Sequence, residues 1–181
     1  MEKTFKTIQE SEVLFSELML PSNSNFSGKI HGGYILSLMD KIAFACAAKH
    51  SSRYCVTASV DTVDFLNAIG VGELVSMKAS INYVGKSSMV IGIRVESENI
   101  RTGEKKHCNS SYFTMVAKDD EGNTTAVPGL ILKNITEKRR FIKSLYRIQE
   151  RKNRTKEFKS TNFDISNYLD DLNNQNILLP E

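Results

Sequence analysis

The strongest constraint on this chain is one long, mostly apolar segment. Residues 32–49 read G-G-Y-I-L-S-L-M-D-K-I-A-F-A-C-A-A-K. Leu36, Met39, Ile42, Ala43, Cys46 and Ala47 recur at helical spacing, and the opposite side is apolar too. A helix that is apolar all round is buried all round. The segment therefore predicts a central helix wrapped by other elements. Asp40 is the single acidic residue between Pro21 and Val60. Burying an unpaired carboxylate is costly, so its presence there calls for a reason.

The material to wrap such a helix is at hand. Residues 6–20 alternate loosely and predict a first strand, ended by Pro21. P-S-N-S-N-F-S-G is turn chemistry leading into Gly32 and Gly33. Four β-like runs follow the helix: Arg53–Leu66, Glu73–Val84, Ser88–Ile100 and Lys106–Lys118. They are rich in β-branched residues, and their links A-I-G-V-G, V-G-K-S and R-T-G-E are short and glycine-bearing, as in antiparallel meanders. Strand, long helix, then four successive strands is an α+β plan with helix and sheet segregated.

A second helix is predicted after residue 133, capped by Asn134 or Thr136 with Glu137 in its first turn. Phe141, Leu145 and Ile148 form its apolar stripe, and Lys138, Arg139, Lys143, Arg147 and Arg151 cover the rest. The expected organisation is a folded domain over 1–132, a basic amphipathic helix over 133–152 and a polar, mobile tail over 153–181. Leu169, Leu172, Ile177, Leu178 and Leu179 stand out in that tail as a possible docking segment.

Charge is similarly partitioned. Residues 133–160 carry 11 Lys/Arg against 3 Asp/Glu, and residues 161–181 carry 4 acids and no base. The net charge of +3 thus reflects one segment and does not mark the domain as a nucleic-acid binder. No aromatic platform or recognition motif accompanies the basic helix. No apolar run reaches about 18 residues without a charge, so no membrane span is expected, and M-E-K-T-F-K-T-I-Q-E has no apolar leader. Cys46, Cys55 and Cys108 lack C-x-x-C spacing and read as reduced thiols of a cytoplasmic protein. His31, His50 and His107 are scattered, and no metal site is expected.

A loop, two glycines and a buried helix make a recurrent site geometry. The first helical N–H groups lack internal partners, the helix dipole adds positive charge, and glycine lets a ligand come close to the backbone. Such a place can hold a carbonyl that becomes an oxyanion. Asp40 lies seven residues after Gly33, roughly 10 Å along the axis. It cannot serve its own helix's N-terminus, but a symmetric partner could bring that N-terminus beside it.

The stretch P-S-N-S-N-F-S-G-K-I-H-G-G-Y-I-L-S-L-M-D resembles the signature of hot-dog-fold acyl-CoA thioesterases, the bacterial broad-range and vertebrate brain-type cytosolic group. Asn25, Gly28, Gly32, Gly33 and Asp40 fill its places. V-T-A-S-V-D-T-V-D-F, V-G-E-L-V, V-G-K-S-S-M, F-T-M-V-A-K-D-D-E-G and Val127-Pro128 follow in order, so the resemblance spans roughly residues 8–150. Ala68 departs from it, standing where most members have proline.

The resemblance implies a five-stranded antiparallel sheet around the helix. It implies a dimer with a continuous sheet, often a trimer of dimers (a homohexamer), with two sites at each dimer interface. Asp40 of one subunit would act as general base or nucleophile opposite Asn25 and the Gly33 N–H of the other. Gly32 and His31 would border the substrate. Coenzyme A enters as part of the substrate, and no other cofactor is implied. Its phosphates call for cations: Lys86 in Gly85-Lys86-Ser87-Ser88, and Arg139, Arg140 and Arg147. Plainer readings stand beside these. Asp40 could be a surface carboxylate, Asn25 a turn former and His31 a structural residue, while Asp61 and Asp64 are taken as structural. A non-catalytic acyl-CoA-binding regulator and a hot-dog enoyl-thioester hydratase are the competing functions. His31 precedes Gly33, on the wrong side of it for the Asp/His pair of a hydratase.

Overall fold

The computed structural model describes residues 4–172 and 175–178. They divide into two compact units, residues 1–144 and 145–181.

In chain order the first unit contains β1 (Phe5–Thr7), β2 (Val13–Leu18), α1 (Gly32–Ser51), β3 (Tyr54–Val60), β4 (Glu73–Val84), β5 (Ser88–Asn99), β6 (Lys105–Lys118), β7 (Gly129–Ile131) and the start of α2 (Ile135–Ser160). The main sheet has five antiparallel strands in the order β2-β4-β5-β6-β3. It curls around α1, which packs against all five. Alternate residues point inward, as pleating requires. Val75, Met77, Ala79 and Ile81 of β4, with Met89, Ile91, Ile93 and Val95 of β5, are buried against the helix. The helix-in-sheet plan read from the sequence is what the chain adopts.

Three local expectations differ. Residues 6–20 are two strands. Ser11 N–H and Glu12 N–H both donate to the Ile8 carbonyl, and the Glu10 carboxylate accepts from the Thr7 N–H and hydroxyl. These local bonds turn the chain away from a ladder. The freed β1 pairs in parallel with β7, in a small separate sheet. The run Arg53–Leu66 is regular strand only over Tyr54–Val60, with a bulge between Thr57 and Ser59. Beyond it, Asp61 N–H and Leu66 N–H still bond to β6 carbonyls.

The third difference concerns α1. Ile35, Leu38, Met39, Ile42, Ala43, Cys46, Ala47 and His50 are buried, but Gly33, Ser37, Asp40, Lys41, Phe44 and Ala45 are exposed in the single chain. The sheet covers one side of the helix and leaves an outward stripe that is largely small or apolar.

Asn134 caps α2. Its Oδ1 accepts from the Glu137 N–H at 3.0 Å, and Glu137 accepts from Lys133 N–H, the Asn134 side chain and Gln9. Burial opposes ionisation of Glu137, yet these donors hold its carboxyl below the usual range. The helix runs to Ser160, past the predicted end at 152. Lys, Glu and Arg are good helix formers, and Gln149 bonds Asn153 one turn on. In the second unit a 3-10 turn, Ile165–Asn167, is capped by Asp164, and α3 covers Leu169–Leu172. Phe158, Phe163 and Tyr168 form a ring cluster there. Leu179 lies outside the described residues. Among the described residues, no helix is long and apolar enough to cross a membrane.

Candidate active site

Asp40 projects from the outward stripe of α1 toward β3. The Thr57 hydroxyl donates to its Oδ1 at 2.6 Å. Both residues border a cavity of about 330 Å³ whose other walls are Lys41, Phe44, Tyr54, Cys55, Val56 and Met115. One carboxylate oxygen is thus fixed by a neutral donor, and among the described residues the other has no protein partner. A carboxylate held this way beside apolar walls can take a proton from water or attack an electrophile directly.

Asn25 and Gly33 do not line this cavity. The Asn25 Oδ1 accepts from Ser27 N–H, the Ser27 hydroxyl and Lys29 N–H, at 3.0, 2.8 and 3.1 Å. Gly28, with φ +71°, closes the same turn by donating to the Asn25 carbonyl. The turn-forming role is therefore real. It also points the chemistry of Asn25 to its amide NH₂, since the oxygen is committed to the loop.

At the start of α1, Tyr34 and Ile35 N–H donate to the His31 carbonyl. The N–H groups of Gly32 and Gly33 come before that first bond, as helix geometry requires. A Cβ on Gly32 would meet the Phe65 ring at 3.1 Å, whereas Gly33 faces open space. Gly32 is thus a packing requirement and Gly33 an approach to the backbone. His31 is exposed at the N-cap position, and its side chain makes no capping bond.

The remaining candidates lie elsewhere. Gly85, Lys86, Ser87 and Ser88 form the β4–β5 turn, where Gly85 N–H donates to the Ser88 carbonyl and a Cβ would crowd the Ser88 hydroxyl at 2.8 Å. The Lys86 carbonyl accepts from Val127 N–H and that of Ser87 from Ala117 N–H, fixing the turn while Lys86 stays exposed. Arg139 and Arg140 are exposed on the first turns of α2. Arg140 borders a separate cavity of about 140 Å³ on the outer face of the sheet, with Lys78, Asn82 and Arg94. Arg147 belongs to the second unit.

The cysteines do not compete for the nucleophile's part. Burial pushes the Cys46 thiol up to about 12 and raises that of Cys55. Among the described residues, no group of three or more His, Cys, Asp or Glu could hold a metal ion. Thr57 is the residue that sequence reasoning missed. Its signal was available: a threonine in the apolar strand directly following the helix that carries the aspartate.

Residues 27–104 match the thioesterase superfamily. Protein VdlD of Helicobacter pylori is 43% identical over 148 residues, covering 82% of this chain and 84% of its own. A crystal structure of an apo-hexameric acyl-CoA thioesterase superimposes with TM-score 0.82 at 34% identity, covering 84% of this chain and 97% of the other. An acyl-CoA hydrolase from Staphylococcus aureus, solved with butyryl coenzyme A, coenzyme A and coenzyme A disulfide, gives TM-score 0.79 at 32% identity, covering 86% and 94%. Variants of that hydrolase with an asparagine, an aspartate or a threonine replaced by alanine have also been solved. Those three residues are spaced along its chain as Asn25, Asp40 and Thr57 are here.

Proposed function

The chain belongs to the thioesterase superfamily, and from that premise we propose that it hydrolyses acyl-CoA to a free carboxylic acid and coenzyme A. The observation that carries this reading is the Asp40 carboxylate, fixed by Thr57 at 2.6 Å beside a cavity of mixed polar and apolar lining. The acyl-CoA hydrolase and thioesterase with solved structures support it.

In this reading Asp40 takes a proton from water as its oxygen adds to the thioester carbonyl. The oxyanion is met by the Gly33 N–H of the partner subunit at the positive end of α1. The partner's Asn25 donates its amide NH₂ to the water or the thioester. Collapse breaks the C–S bond, and the departing thiolate of coenzyme A recovers the proton from Asp40. The covalent alternative has Asp40 attack the carbonyl and form an anhydride, which water then opens. Both routes need the same residues and call for no metal or redox cofactor.

A dimer fits the same geometry. Among the described residues, Asn25 and Gly33 do not line the cavity around Asp40, and the outward stripe of α1 is exposed. β3 ends the five-strand order, and an edge strand can pair with a second copy. A trimer of such dimers is the proposed assembly, supported by the hexameric relative. Lys86, with Ser87 and Ser88, meets phosphates of coenzyme A, and Arg139, Arg140 and Arg147 are further candidate cations. His31 and Gly32 border the thioester. The reaction is placed in the cytoplasm, with no nucleic-acid or membrane partner.

The test is direct. Purified protein given acyl-CoA and a thiol reagent is expected to release coenzyme A, and Asp40→Ala is expected to lose that release with its assembly intact. Full activity in Asp40→Ala contradicts the mechanism.

A further inference from the structure

The cavity that Asp40 borders has a mixed lining. Asp40, Lys41 and Thr57 supply charged and polar groups, and Phe44, Tyr54, Val56 and Met115 supply apolar ones, with the Met115 sulfur 3.3 Å from the Thr57 hydroxyl. Phe44 follows Asp40 by one helical turn on the same face, a rise of about 6 Å. Its ring meets that of Tyr54 edge-on, with centroids 5.8 Å apart and planes at 61°. Both rings remain open to the outside, at 38% and 65% exposure. Both rings line the cavity that Asp40 borders, one helical turn from its carboxylate.

We propose that the Phe44–Tyr54 pair is the stop for the substrate's acyl chain, so that it sets the longest chain turned over efficiently. This rests on the thioesterase reading above and extends it to substrate class. With the thioester carbon at Asp40, one of two substrate parts runs along this wall. The coenzyme A side carries polar amides and phosphates that apolar walls do not satisfy, whereas a hydrocarbon chain is matched to them. The rings border the cavity about one helical turn on from Asp40, so a chain that stops at them is short. Lys41 is the one cation on the lining, and its flexible stem lets the ammonium reach water.

Each methylene moved from water into an apolar wall changes binding roughly fourfold. Removing the Phe44 ring is therefore expected to raise the decanoyl-to-butyryl ratio of kcat/KM by about tenfold or more, once several methylenes find room. The measurement is kcat/KM for acetyl-, butyryl-, hexanoyl-, octanoyl-, decanoyl- and palmitoyl-CoA with wild type, Phe44→Ala, Tyr54→Ala and Phe44→Trp. The optimum is expected to move to longer chains in both alanine variants and to shorter ones in Phe44→Trp. Active variants whose chain-length profiles match the wild type overturn the proposal while leaving the hydrolase reading intact. A wild-type protein that hydrolyses none of the six overturns the hydrolase reading itself.

Discussion

Two polar side chains on α1 have opposite fates. His50 is fully buried near the C-terminal end, and both ring nitrogens are bonded. Nε2 lies 3.1 Å from the Pro128 carbonyl, which can only accept, so Nε2 carries the proton. Nδ1 then accepts from the Ser11 hydroxyl at 2.8 Å. Asp40, three turns earlier, is exposed on the outward stripe and holds one hydroxyl donor. The histidine ties the N-terminal segment, the helix and β7's approach into one piece. The aspartate ties down only one of its oxygens. A polar group satisfied on every side serves the fold, and one left partly unsatisfied beside a cavity is available for chemistry.

The larger effect is expected at Asp40. Asp40→Ala is expected to lower coenzyme A release by roughly 10²–10⁴-fold while changing stability by no more than about 0.5 kcal/mol, as for other exposed positions. Activity and denaturant midpoint, measured together, check both halves. His50→Ala should do the reverse. It leaves Ser11 and Pro128 without a buried partner and opens a cavity, for an expected loss of about 3 kcal/mol in chemical unfolding. A variant that stays as stable as wild type would show that the buried network contributes little.

Thr57→Ala tests the role of the bond that Thr57 donates to Asp40. A hydrogen bond to a charged group is worth about 1.5–3 kcal/mol, so kcat is expected to fall roughly 10- to 100-fold with the fold intact. Thr57→Ser, which keeps the hydroxyl, should recover most of the loss.

The smallest effect is with pH. Burial, aided by the nearby Lys6 charge and opposed by the Pro128 carbonyl, holds the His50 pKa below its ordinary 6.5. The unfolded chain then binds a proton that the folded chain refuses. Stability is complete above about pH 6.5 and falls as pH drops from there toward the lowered folded value. Equilibrium unfolding at several pH values should show this decline, and an isosteric His50→Gln substitution should flatten it.

Much of this was legible in the residues themselves. The long, mostly apolar segment of α1 and the four strands after it dictate a helix held in a sheet, because a helix with that many apolar positions needs cover. Gly32, Gly33 and Asp40 stood out by type and spacing. What the sequence concealed depended on contacts far apart in the chain or on small local bonds. Glu10 breaks the first strand by accepting from Thr7, which alternation does not reveal. The outward stripe of α1 reads as core because Gly33, Ala45 and Phe44 are apolar, although the sheet does not reach them. Thr57 hides among strand-forming threonines, and only the fold brings it to Asp40, 17 residues away in the chain. Past Asn153, polar composition suggested an end to α2, yet the same lysines, arginines and glutamates are helix formers.

In the proposed site Asp40 and Asn25 come from different subunits, and subunit mixing decides it. Asn25→Ala and Asp40→Ala proteins, each inactive, are combined under conditions of demonstrated exchange. Half of the randomly reassorted dimers are mixed, and each carries one complete site of two, so recovery to about a quarter of wild-type activity is expected. No recovery despite exchange would contradict it, because it would mean that Asn25 and Asp40 of the same chain must act together.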